Sequence, residues 1–182
     1  MLRLVRRALR GSAGVPSVAP VALAALVALT AAVAAVAENV RPTDIVAVDD
    51  FIDAARAVFG RNRGEVERTL GAPTQIRART LADGVSAAEA VDELIYPGVA
   101  IFVSRRSSAV RRVVLSEARG ALPRGLTVGT ARDEIERALG EPQATSDASV
   151  MYLYNDGFPN TVEFHFRQGR VRQIEWTFAA SD

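Results

Sequence analysis

The chain has 182 residues, with 22 basic residues, all of them arginine, against 21 acidic ones, for a formal charge of +1. No cysteine is present, which excludes disulfides, thiolate metal sites, a cysteine nucleophile and a lipid-modified N-terminal cysteine. His165 is the single histidine, so a zinc site would rest almost wholly on carboxylates, and neither a metal nor a cofactor is expected.

Taken from the start, Arg3, Arg6, Arg7 and Arg10 form a basic head without acidic residues, followed by an almost wholly apolar, alanine-rich run from Val18 to Ala37. Ala35-Val36-Ala37 ahead of Glu38 is the small-x-small pattern that a signal peptidase reads, so residues 1–37 are predicted to be a signal peptide. An uncleaved inner-membrane anchor is the alternative, because an apolar run of about 20 residues can just span a bilayer. Weakly apolar alanine and Pro20 favour cleavage. Both readings put the remainder outside the cytoplasm, periplasmic or secreted, with membrane contact only if the leader stays. Residues 38–182 then hold 18 basic against 21 acidic residues and carry no electrostatic footprint for nucleic acid.

Val48, Phe51, Ile52, Ala55, Val58 and Phe59 have helical spacing. A second, shorter helix should end at Leu70-Gly71-Ala72-Pro73, where glycine suits a C-terminal cap and proline stops continuation. The period then changes to that of strands: Gln75–Thr80, Leu94–Tyr96, Val99–Val103 and Val110–Leu115. Leu81–Ala90 reads as an added loop or short helix, and Leu122-Pro123-Arg124-Gly125 as a joint. Beyond it, Thr130 is placed to cap a helix with Asp133 as its capping-box partner, and Ala131, Ile135 and Leu139 make one apolar stripe. Gly140 and Pro142 end it. Strands follow at Val150–Tyr154, Val162–Phe166 and Arg172–Phe178, with turns at Asn155-Asp156-Gly157 and Gln168-Gly169.

The two halves repeat. Glu65-Val66-Glu67-Arg68-Thr69-Leu70-Gly71-Ala72-Pro73 matches Glu134-Ile135-Glu136-Arg137-Ala138-Leu139-Gly140-Glu141-Pro142 at six of nine positions, and Phe59-Gly60 matches Val128-Gly129 at the same offset of 69 residues. In the first copy Arg61 and Gly64 stand where the cap and its partner should be, so that helix start reads as degenerate. Tyr96 pairs with Tyr154, and Val113 and Leu115 with Ile174 and Trp176. The expected class is α+β: two tandem repeats of helix, short helix and a three- or four-stranded antiparallel meander, over residues 38–122 and 123–182. A unit of this size buries little surface alone, so the two should pack side by side, sharing one sheet.

Val128-Gly129-Thr130, Glu134-Ile135, Ala138-Leu139-Gly140 and Pro142, followed by aromatic strands ending in Gly169-Arg170-Val171, resemble the β-lactamase-inhibitor-protein-like (BLIP-like) fold. The arrangement is similar to that of the SmpA/OmlA (BamE) family of outer-membrane assembly lipoproteins, over Asp49 to Phe178. The resemblance implies a protein-binding module without enzymatic activity, and an accessory role in outer-membrane assembly is its narrowest implication. The implied partner is another envelope or secreted protein.

Alternation places Glu163, His165, Gln173, Glu175 and Thr177 on the sheet face away from the helices, and these are the candidate binding residues. Phe164, Phe166, Ile174, Trp176 and Phe178 fall on the opposite face as core, and Tyr96, Tyr152 and Tyr154 sit at the core edge or an interface. His165 with Glu163 or Glu175 supplies the alternative reading, a small periplasmic hydrolase. Arg105-Arg106 and Arg111-Arg112 flank a hairpin turn, where a solvated loop or contact with acidic groups is expected. The Glu-x-Glu pairs at 65/67 and 134/136 cannot cooperate, because positions i and i+2 of a helix point about 200° apart.

Overall fold

Asp44 starts the first helix by accepting the Ala47 N–H at 3.0 Å, and the helix then runs as α1, Ile45–Phe59. The structure, a computed structural model, describes residues 41–82, 88–119, 122–153 and 160–179. The signal-peptide segment, Tyr154 and the Asn155–Gly157 turn lie outside the described residues. Ala47, Val48, Phe51, Ile52, Ala55 and Phe59 make the buried stripe of α1. Gly60 ends it at φ 103°, and a Cβ there would meet the Val66 nitrogen at 2.7 Å, so the close approach of the next helix requires glycine.

That next helix, α2 (Arg63–Leu70), starts one residue later than the sequence suggested. Asn62 accepts from the Glu65 N–H at 3.0 Å, and Glu65 accepts in return from the Arg61 N–H at 2.8 Å. The start that read as degenerate is thus the better capped. Its counterpart α3 (Arg132–Leu139) has Ala131 at the cap and no side-chain bond there. Thr130 instead accepts from the Thr127 N–H, and Asp133 pairs with Arg137 along the helix. A backbone contact does part of the missing work. The Arg132 N–H donates to the Gly169 carbonyl at 3.0 Å, as the Arg63 N–H does to that of Ser108.

Among the described residues eight strands form one antiparallel sheet: β1 Gln75–Leu81, β2 Glu89–Tyr96, β3 Val99–Ser104, β4 Val110–Leu115, β5 Ala144–Thr145, β6 Ser149–Leu153, β7 Thr161–Arg167 and β8 Arg170–Thr177. Their order is β1-β2-β3-β4-β8-β7-β6-β5, so two meanders meet at the β4–β8 pair. There Val113 faces Trp176 and Leu115 faces Ile174. Of the added loop or short helix expected over Leu81–Ala90, Leu81 belongs to β1 and Glu89–Ala90 to β2, and residues 83–87 lie outside the described residues.

Helices cover one side of the sheet. Among its described residues the second half does not repeat the long helix; a three-residue 3-10 turn at Pro123–Gly125 precedes α3. Instead α1 reaches across. Phe51 stacks on Phe164 and Trp176 with centroids 5.5 and 5.6 Å apart, and Phe59 meets Trp176 at 6.1 Å. The chain just before α1 is tied to the end of α3 by Asp44 N–H to the Leu139 carbonyl and Glu141 N–H to the Arg41 carbonyl, both 2.9 Å. A Cβ on Gly140, at φ 77°, would meet the Pro42 carbonyl at 2.2 Å, so glycine is required where these backbones cross. One core results, and it takes Phe164, Phe166, Ile174, Trp176 and Phe178 as expected. Tyr96 and Tyr152 also belong to it. The Tyr96 hydroxyl donates to the Gly71 carbonyl at 3.2 Å, and the Tyr152 hydroxyl makes the matching bond to Gly140 at 3.0 Å. Among the described residues no helix is long and apolar enough to cross a membrane.

Candidate functional site

The face of the sheet opposite the helices carries all five candidates. Glu163 and His165 stand on β7 between buried Val162, Phe164 and Phe166; Gln173, Glu175 and Thr177 stand on β8 between buried Val171, Ile174, Trp176 and Phe178. Buried residues on one side therefore force the polar ones to the other. Register sets them side by side: Glu163 opposite Glu175, His165 opposite Gln173, Thr161 opposite Thr177.

Two carboxylates directly opposite across a strand pair repel each other. One is compensated. Arg112 on β4 brings its Nε to 3.2 Å from Glu175, although that N–H is not aligned as a hydrogen bond. Glu163 has His165, whose Nε2 lies 3.8 Å away, beyond hydrogen-bond reach. That Nε2 has no hydrogen-bond partner among the described residues. Side chains of Glu163, Glu175, His165 and Arg112 are 34, 22, 23 and 24% exposed, so the charges are held against the sheet rather than waving in solvent.

Neighbouring strands extend the surface in ways the sequence did not reveal. Met151 lies opposite Glu163 and Ser149 opposite His165 on β6. Val114 lies opposite Glu175, and Arg112 opposite Thr177, on β4. Phe102 on β3 lies opposite Arg112, which sits over its ring at 5.9 Å from the centroid. The face thus grades from acidic and polar on β7 and β8 to half-buried and apolar on β3, and β2 returns a carboxylate to it where Glu93 lies opposite Phe102. Arg112 was legible only as one of a basic pair. Its role follows from the β4–β8 pairing, which joins residues 59 to 65 positions apart.

The other three arginines flanking the β3–β4 hairpin differ in their surroundings. Arg111, at a register shift in β4, is buried and bonded to Glu89 at 2.8 Å. Arg105 binds Asp92 at 2.7 Å, while Arg106 stays exposed in the β3–β4 turn. Comparison with known protein families, curated proteins and solved structures returns no match to this chain.

Proposed function

We propose that the chain is an exported, non-enzymatic protein-binding module of the bacterial cell envelope, which docks a cationic patch of another envelope or secreted protein on its open sheet face. One observation carries this: the in-register Glu163–Glu175 pair, only one member of which has an arginine at hand among the described residues. A fold that retains a repulsive pair forgoes a little stability, and a partner arginine or lysine bridging both carboxylates removes the repulsion. Half-buried Met151, Val114 and Phe102 beside the charges supply the apolar area that a protein interface needs.

The proposed architecture behind this surface is a duplicated BLIP-like unit, related to the SmpA/OmlA family, and an accessory role in outer-membrane assembly follows from that relationship. Paired details support the duplication. Tyr96 to Gly71 and Tyr152 to Gly140 are the same hydroxyl-to-cap bond. Arg61 and Thr130 carbonyls accept from Val110 and Val171 N–H groups, both at 2.9 Å. Export rests on the leader: the mature chain is expected to begin at Glu38, and N-terminal sequencing that finds Met1 would leave the anchored form.

The docking surface is tested by capture from envelope extract with the wild type and with the double variant Glu163→Arg/Glu175→Arg, each checked by thermal unfolding. Loss of a specific partner at an unchanged melting temperature is expected. Undiminished capture would remove this face from consideration.

A further inference from the structure

The two ends of the sheet are unlike. At one end β5 is two residues long, the usual way of making an edge too short to recruit another strand. At the other, β1 runs for seven residues without a proline or glycine, and six of the seven are exposed. That is about 23 Å of edge at strand rise, with alternate residues turning N–H and C=O groups away from β2. Ile76 is 48% exposed on one face of it. Arg77 and Arg79 share the other face.

The charges around this edge do not cancel. Arg77 lies opposite Glu93 in register, yet it is Arg79 that holds Glu93, at 2.9 Å, so two arginines stand beside one carboxylate. Arg77 spends a guanidinium N–H on the Gln75 amide oxygen at 2.7 Å. On the reverse face of β2, Asp92 is held by Arg63 at 3.1 Å and Arg105 at 2.7 Å, and Arg63 also has Glu67 at 2.9 Å, so the charges there balance. Among the described residues, it is the Arg77–Arg79 face of the β1–β2 ribbon that is short of negative charge.

A second copy of the chain is a poor occupant. Residues opposite each other in an antiparallel pair share a face, so a two-fold pairing of β1 centred on residue 77, 78 or 79 sets arginine against arginine. We propose that β1 is a strand-addition edge that takes an extended polypeptide segment with acidic side chains at alternate positions. Main-chain bonds to the edge hold the segment, and its acidic side chains complete the ion pairs that Glu93 cannot serve alone. This goes beyond the open-face reading and is independent of it, since β2, β3, β4 and β8 separate β1 from β7.

Fluorescence anisotropy with a short labelled peptide alternating glutamate and valine tests it on the purified chain. Saturable binding is expected, roughly tenfold weaker for the same peptide with lysine in place of glutamate. The variant Arg77→Glu/Arg79→Glu should reverse that preference. N-methylation of one alternate set of peptide amides should abolish binding and methylation of the other set spare it, which leaves the protein untouched and so does not depend on any variant folding. Binding that tolerates both methylated sets, or equal binding of the lysine peptide, would overturn the proposal. So would no binding of either peptide, which would make the arginines a block to pairing, or a dimer through β1 in sedimentation, which would make the occupant a second copy.

Discussion

The Tyr152 hydroxyl donates to the carbonyl of Gly140 at 3.0 Å, deep in the core, and so ties the middle of β6 to the residue that ends α3. Burial, reinforced by the Glu136 charge and opposed by Arg132, pushes the phenol well above its ordinary value near 10.0. The folded state therefore keeps the proton to higher pH than the unfolded state does. Its contribution is complete below about pH 10 and is lost as pH rises from there toward the folded value. Urea midpoints should fall at alkaline pH in the wild type and fall less steeply in Tyr152→Phe. At neutral pH that variant should lose about 1–3 kcal/mol, because Gly140 is left without its donor.

Phe51 makes the two halves one cooperative unit. Phe51→Ala or Trp176→Ala should each cost about 3–5 kcal/mol, and a double-mutant cycle between them should show about 0.5–1.5 kcal/mol of coupling. Residues 123–182 made alone should show no cooperative unfolding transition, since Phe164 and Trp176 lose the helix that covers them. A cooperative transition in that fragment would show that α1 is dispensable.

Helix starts offer a paired test. Asn62→Ala should lower stability by about 1 kcal/mol, through loss of the cap on the Glu65 N–H. At the matching position of α3, Ala131→Asn should raise it by up to about 1 kcal/mol, because the cap residue is extended, at φ −73° and ψ 151°, and lacks an acceptor. Chemical denaturation of both variants checks the contrast.

Repulsion between Glu163 and Glu175 should be measurable without any partner. Glu163→Gln is expected to stabilise by a few tenths to about 1 kcal/mol at low salt, and the gain should shrink as salt is added. Arg112→Gln should destabilise the wild type and matter less in an Glu175→Gln background. Equal effects of Arg112→Gln in both backgrounds would break the link between these three charges.

Much of the fold was legible because burial imposes alternation. Val162 to Phe166 and the run through Ile174 and Trp176 read correctly, since each hydrophobic side chain had to point to the same side. The start of β2 was missed. Asp92 and Glu93 look like loop residues, and only arginines from distant segments make them acceptable in a strand. Thr130 drew the helix cap because its side chain can serve there, but the hydroxyl instead accepts from Thr127, and the cap position falls to Ala131. The absence of a second long helix was hidden for another reason: α1 crosses to the other half, and a crossing leaves no local pattern. Of the site, the polar positions on β7 and β8 were readable from alternation alone. Arg112, Val114 and Phe102 were not, because their place beside Glu175 depends on how the two meanders join.

The most direct test of the central claim is site-specific photo-crosslinking in the native cell, with the probe at Glu175 and a control probe at Glu136 on α3. A discrete adduct from Glu175 and none from Glu136 is the predicted result, and mass spectrometry of the adduct names the partner. A folded, exported protein that yields no adduct from Glu175 would contradict the open face of β7 and β8 as the binding surface.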